Sequence, residues 1–208
     1  MAALTFYTNP MSRGRIVRWM LEESGADYDT VVLDYASSMK ADSYLAINPM
    51  GKVPAIVHKG QVVTECAAIC AYVADAFPDA GLAPLPEERA DYYRWLFFTA
   101  GPMEQAITNH HAKFDPSDEQ GRMFGYGSYD LAVDTFEAAV SRHPYITGDR
   151  FTAADVYVGS TIGWGTAFGT LPKRQAFVDY LGRLTTRDAY IRANDLDNAL
   201  MPAPEPAA

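Results

Sequence analysis

The chain has 208 residues, 49% of them apolar, and a formal net charge of −9 at pH 7. That length and apolar share support one large or two modest folded domains and exclude a disordered chain, while the acidic balance excludes nucleic acid and anionic membrane surfaces as partners. No apolar run reaches the length of a membrane span, and the start carries neither a basic lead nor a cleavage site, so the expected location is the cytoplasm.

Leu4 to Thr8 reads as a strand, and Arg15 to Ser24 as a helix with Ile16, Val17, Met20 and Leu21 on one face, stopped by Gly25. Tyr28 to Leu33 is a second strand, Ala41 to Ile47 a short polar-faced segment, and Pro54 opens a third strand. A turn at Lys59-Gly60-Gln61 leads into Val62-Val63, and a helix from Glu65 to Phe77 brings Ile69, Val73 and Phe77 together. The order βαβ then ββα predicts a small mixed four-stranded sheet with helices against it. Gly81 to Pro86 is too rich in Pro and Gly for a helix and reads as a linker. Helices follow: Glu87 to about Lys113 with a kink at Gly101-Pro102, Ser117 to about His143, Thr152 to Phe168, Lys173 to Leu184, and Arg187 to Leu200. The tail Pro202 to Pro206 is expected to be extended. The expected domains are therefore residues 1–80, a linker 81–86, and an all-helical 87–208.

Three local patterns carry physical meaning. Val53-Pro54 at the start of an apolar strand predicts a cis linkage and a Val53 main chain turned outward, able to exchange both its hydrogen bonds with an extended, peptide-like ligand. Glu65 and Cys66 stand where a strand gives way to a helix, whose free N–H groups favour a carboxylate. Thr152-Ala-Ala-Asp155 is a capping box at a helix start. Cys66 and Cys70, one helical turn apart, predict buried free thiols, and no metal is expected because no His or Cys stands at ligand spacing.

Asn48-Pro-Met-Gly-Lys-Val-Pro54, Thr64-Glu65-Cys66-Ala-Ala-Ile69 and Gly148-Asp-Arg-Phe-Thr-Ala-Ala-Asp155 together resemble the cytosolic glutathione transferases over the whole chain. The start, Phe6 to Arg15, is similar to bacterial members. The resemblance implies a thioredoxin-like first domain, an all-helical second domain, glutathione as co-substrate, a small hydrophobic electrophile and a homodimer. It further implies glutathione contacts from Lys52, Val53, Pro54, Glu65 and Cys66. The family usually has Ser where Cys66 stands, and a thiol is the weaker donor. Many classes carry Tyr or Ser where Asn9 stands, so three groups compete to activate the thiol: Ser12 at the first helix turn, Asn9 through its amide, and Tyr7 through its phenol. Met11, Trp164 and Phe168 are expected to line the electrophile pocket. Conjugation is the expected activity. Glutathione-dependent reduction of disulfides or peroxides, and a noncatalytic binding role on the same fold, are the alternatives.

Overall fold

A computed structural model of the chain describes residues 2–201; the tail Pro202 to Pro206, expected to be extended, lies outside the described residues. Contacts divide the chain into two compact units, one running to Ala80 and resumed from Arg187, the other spanning Gly81–Thr186.

The first unit contains β1 (Leu4–Thr8), α1 (Gly14–Ser24), β2 (Tyr28–Val32), α2 (Asp42–Leu45), β3 (Ala55–His58), β4 (Gln61–Thr64) and α3 (Cys66–Ala76). The strands form one sheet in the order β2-β1-β3-β4, with β1 parallel to β2, antiparallel to β3, and β3 antiparallel to β4. Lys59 and Gly60 both take positive φ, 50° and 79°, which gives the β3–β4 hairpin a turn that suits strand twist. Leu4, Phe6 and Ile56 of the sheet are fully buried with Val17, Met20 and Leu21 of α1 and Ile69 and Val73 of α3. Alternation along β1 and the 3.6-residue period along α1 place these side chains in one core, as the sequence predicts. Burying each stabilises the fold by about 1.5–3 kcal/mol relative to exposure.

The last helix of the described chain, α10 (Asp188–Ala199), corrects the expected domain division. It was expected to end the second domain, yet it packs along α1 and belongs with the first unit. Charged and aromatic side chains join the two helices along their length. Arg187 holds Glu23 through two bonds of 2.6 and 2.7 Å, Tyr190 meets the Trp19 ring edge-on at 5.0 Å, Arg192 reaches Glu22 at 3.3 Å, and Asp197 accepts from Arg18 at 2.7 Å.

The second unit is helical: α4 (Arg89–Phe98), α5 (Glu104–His111), α6 (Asp118–Gly121), α7 (Tyr129–Val140), α8 (Ala153–Phe168) and α9 (Gln175–Leu184). The expected kink is a π-helical turn, Thr99–Met103, between α4 and α5; it contains Pro102, which has no N–H to give to the ladder. The expected single helix from Ser117 to His143 is two. Ser117 and Gln120 form a capping box on the four-residue α6, and Ser128 caps α7 anew. Between them Gly127 takes φ 68°, and a Cβ on Gly121 would lie 2.9 Å from the Gly127 carbonyl oxygen, so the chain reverses where only glycine fits. The Thr152/Asp155 capping box forms as predicted. Its carboxylate lies fully buried and takes two further hydrogen bonds that the sequence did not announce, from the Ile146 N–H at 2.8 Å and the Tyr180 hydroxyl at 2.6 Å.

Candidate active site

Thr8 ends β1 and Gly14 begins α1, so the five residues between them turn at the C-terminal end of a central strand. Gly14 is required there: a Cβ on it would lie 1.9 Å from Thr8 Oγ1 and 3.0 Å from Ser12 Oγ. Asn9 organises the turn. Its amide nitrogen donates to the Leu33 carbonyl at 2.8 Å, and its amide oxygen accepts the Met11 N–H at 2.9 Å. Ser12, 8% exposed, donates its hydroxyl to the Asn9 carbonyl at 2.7 Å and accepts the Gly14 N–H at 2.9 Å. Both catalytic candidates thus lie on one loop, and both already serve the loop's own geometry. Asn9 retains one amide N–H, whereas the Ser12 proton must leave the Asn9 carbonyl before it can meet a ligand. Tyr7, the third candidate, lies half-buried in β1, its ring tilted against Tyr44 at 5.5 Å and packed on the cluster of Leu33, Met39, Tyr44 and Ala55.

The second part of the site is the segment before β3. Gly51 takes φ 57°, and a Cβ there would lie 2.9 Å from both Lys40 Nζ and the Met39 carbonyl oxygen. Lys40 donates to the Gly51 carbonyl at 2.8 Å, while the Tyr44 hydroxyl and the Asn48 amide donate to the Lys52 carbonyl at 2.6 and 2.8 Å. Burial pushes the Tyr44 phenol up to about 12, so it remains a donor through the neutral range. These three donors fix the two carbonyls that precede Val53. The Val53–Pro54 bond is cis, and among the described residues Val53 makes no main-chain hydrogen bond through its N–H or C=O. Lys52 is exposed and Pro54 buried. Sequence reasoning missed Lys40 and Tyr44, whose roles depend on the chain folding back over the motif; Asn48 was within the motif but without a role.

The third part is the start of α3. Glu65 precedes the helix with φ 67° and ψ 119°, a conformation that costs a non-glycine residue about 1–3 kcal/mol and concentrates at functional positions. No side chain caps the helix, and its first turn has no acidic residue, so its positive end is open to a carboxylate. The Cys66 thiol donates to the Arg13 carbonyl at 3.7 Å, linking α3 to the loop at the foot of α1. Cys70 is fully buried, and burial pushes its thiol well up, with the neighbouring Cys66 adding to the shift.

Of the expected pocket residues, Met11 belongs to the first unit and is 60% exposed. Trp164 and Phe168 belong to the second, in α8, where their rings meet edge-on at 6.3 Å with Phe168 76% exposed. Neither aromatic is fully enclosed in a core. Among the described residues no group of three or more His, Cys, Asp or Glu side chains is arranged to hold a metal, and no helix is long and apolar enough to cross a membrane.

The family profile described as "Glutathione S-transferase, N-terminal domain" matches residues 2–75. The chain is 30% identical over 177 residues to Glutathione S-transferase 3 of Zea mays, covering 74% of this chain and 75% of that protein. It is 30% identical over 152 residues to Glutathione S-transferase GstA of Escherichia coli O157:H7, covering 71% and 75%. Among solved structures it is similar to a sphingomonad glutathione S-transferase complexed with glutathione, at a TM-score of 0.75 and 27% identity, covering 93% of this chain and 98% of that one.

Proposed function

The chain belongs to the glutathione S-transferase family and is a glutathione-using transferase, and on that footing we propose how its residues divide the work. The Val53 main chain receives the cysteinyl segment of glutathione, the start of α3 with Glu65 and Cys66 receives the γ-glutamyl end, and Lys52 receives the glycine carboxylate. The observation that carries this reading is the Val53 N–H and C=O left without partners among the described residues, next to carbonyls held by Lys40, Tyr44 and Asn48. Pro54 fixes the direction of that segment. The domain roles follow: residues 1–80 bind glutathione, 81–86 link, and the helices between 87 and 186, with Trp164 and Phe168, supply the electrophile pocket. The electrophile is small and hydrophobic, the assembly a homodimer, and the location cytoplasmic.

Activation of the thiol sets the energetic demand. Bringing a thiol of pKa about 8.5 to mostly thiolate at neutral pH requires roughly two units, or about 2.7 kcal/mol. The start of the eleven-residue α1 supplies about 0.3–2 kcal/mol, and one hydrogen bond to the charged sulfur about 1.5–3. A single donor therefore suffices. Ser12 and Asn9 are the proposed donors, and a thiolate, as the stronger acceptor, can draw the Ser12 proton from the Asn9 carbonyl. Ultraviolet titration of the bound thiolate tests this: Ser12→Ala or Asn9→Ala is expected to raise its pKa by about 1–2 units. If neither variant moves it, the donor is Tyr7 or the main chain.

Cys66→Ser is expected to tighten glutathione about fivefold, the equivalent of one ordinary hydrogen bond, because a hydroxyl donates better than a thiol. Calorimetric titration with glutathione would read the change, and an unaltered dissociation constant would show that the Cys66 side chain serves only its link to Arg13.

A further inference from the structure

Arg15 joins the thiol-binding loop to the last helix. Its Nε donates to the Pro10 carbonyl at 2.6 Å, and its Nη2 donates to the Asn198 side-chain oxygen of α10 at 3.0 Å. Pro10 lies between Asn9 and Ser12, the two proposed donors, and its carbonyl is the only one in that stretch held by a charged group among the described residues. The remaining ties of the loop run elsewhere: Asn9 to Leu33, the Met11 carbonyl to the Tyr35 hydroxyl at 3.2 Å, and Ser12 back to Asn9. Asn198 is exposed, but it follows Asp197, which is buried on Arg18 one helical turn beyond Arg15. The point that holds Arg15 is thus itself fixed, and the Arg15 charge also acts on Asp197.

We propose that Arg15 and Asn198 form a strut through which α10 positions the Asn9–Ser12 loop for thiol activation. Arg15 and Asn198 are positioning residues, because neither touches the reacting sulfur in this scheme. The strut rests on the reading that this loop supplies the thiolate's donor. Its physical basis is directional: a guanidinium that donates Nε and Nη2 to two fixed acceptors has its plane set, so the Pro10 carbonyl, and with it the Asn9 and Ser12 peptide planes, cannot turn freely. Displacing catalytic groups by as little as an ångström can cost on the order of 100-fold in rate.

The test uses the full chain with glutathione and an aromatic chloronitro electrophile, and follows the bound-thiolate pKa, kcat, KM and melting temperature of Arg15→Ala, Asn198→Ala and the double variant. Asn198→Ala keeps the Arg15 charge and alters an exposed position, so it separates orientation from electrostatics and preserves folding. Arg15→Ala is expected to raise the thiolate pKa and lower kcat at neutral pH about tenfold, with KM for glutathione changed less than about twofold. Asn198→Ala is expected to shift both in the same direction by about threefold in kcat, and the double variant to match Arg15→Ala, since Asn198 acts only through Arg15. An unchanged thiolate pKa and kcat in both single variants, whatever their melting temperatures, would overturn the strut. Losses that multiply in the double variant would overturn it as well. Absence of thiolate in the unmodified protein with saturating glutathione would remove the loop's assigned role, and the strut with it.

Discussion

Asp155→Ala is expected to lower the unfolding free energy by about 3–5 kcal/mol, enough to leave much of the chain unfolded near physiological temperature. Alanine there removes a fully buried carboxylate that accepts from the Ile146 N–H at 2.8 Å, the Thr152 N–H at 2.8 Å, the Thr152 hydroxyl at 3.1 Å and the Tyr180 hydroxyl at 2.6 Å. Each donor left buried and unpaired costs about 1–3 kcal/mol, partly offset because the carboxylate no longer has to be desolvated. Thr152→Ala, which leaves the carboxylate and its other donors in place, is expected to cost only about 1 kcal/mol. Urea denaturation of the two variants side by side checks the ranking. A smaller loss for Asp155→Ala than for Thr152→Ala would show that the network is redundant.

The same carboxyl carries a pH dependence. Burial raises the Asp155 carboxyl above its ordinary value, against the opposing pull of its hydrogen bonds to Tyr180, Ile146 and Thr152. A carboxyl raised in the folded state binds its proton more tightly there than in the unfolded chain. Its contribution is therefore fully present below the unfolded value, about pH 4, and is lost as the pH rises through the folded value. Asp155→Asn does not titrate, so its stability deficit relative to the unmodified chain is expected to be widest near pH 4 and to shrink towards neutrality. Denaturation midpoints across that range would show it; a deficit that grows with pH would mean that the hydrogen bonds outweigh burial.

Breaking the buried Arg18–Asp197 pair from either side, by Arg18→Ala or Asp197→Ala, is expected to cost about 3–5 kcal/mol, because the surviving charge stays buried without its partner. The pair is joined at 2.7 Å with Arg18 3% and Asp197 0% exposed. The guanidinium also donates to the Tyr28 hydroxyl at 3.2 Å and to Thr30 at 3.3 Å, and lies over the Phe6 ring at 5.2 Å. It is not fully satisfied, however: Arg18 Nη2 and Asp197 Oδ2 have no hydrogen-bond partner among the described residues. An incompletely satisfied buried pair is a poor source of net stability, so the double variant Arg18→Met/Asp197→Leu is expected to recover most of the loss. Thermal or urea unfolding of the three variants decides this, and a double variant no better than the singles would assign the stability to the ionic pair itself. Because Asn198 adjoins Asp197, the single variants are also expected to lose transferase activity, while the apolar double variant keeps α10 seated and retains it.

The succession of strands and helices in the first unit, the faces of α1 and α3, the break at Gly101-Pro102 and the Thr152/Asp155 box were legible because each depends on residues that are neighbours along the chain. Period-2 alternation fixed the buried side of β1, and a 3.6-residue period fixed that of α1. The Val53 edge was legible for the same reason, since a proline beginning an apolar strand is a local statement. The division of Ser117 to His143 into α6 and α7 was misread, although Gly121, Gly125, Gly127 and Ser128 together mark a reversal and a fresh cap. Other features had no local signature. Lys40 and Tyr44 serve the Gly51–Lys52 carbonyls only because the chain returns over them, and Ser12 proves to be occupied by the Asn9 carbonyl at its own loop.

The sequence by itself determined the two kinds of architecture, the helix and strand faces, and the cis Val53–Pro54 bend before β3, since backbone periodicity and chain-neighbour chemistry are written in consecutive residues. Only the tertiary structure decided that α10 belongs with the sheet, that Asp197 is the partner of Arg18 from 179 residues away, and that Arg15 ties the loop between β1 and α1 to Asn198. An Arg or Asp carries the same charge towards every possible partner, so the choice among them falls to the packing of the helices that bring two of them within hydrogen-bond reach and shut water out.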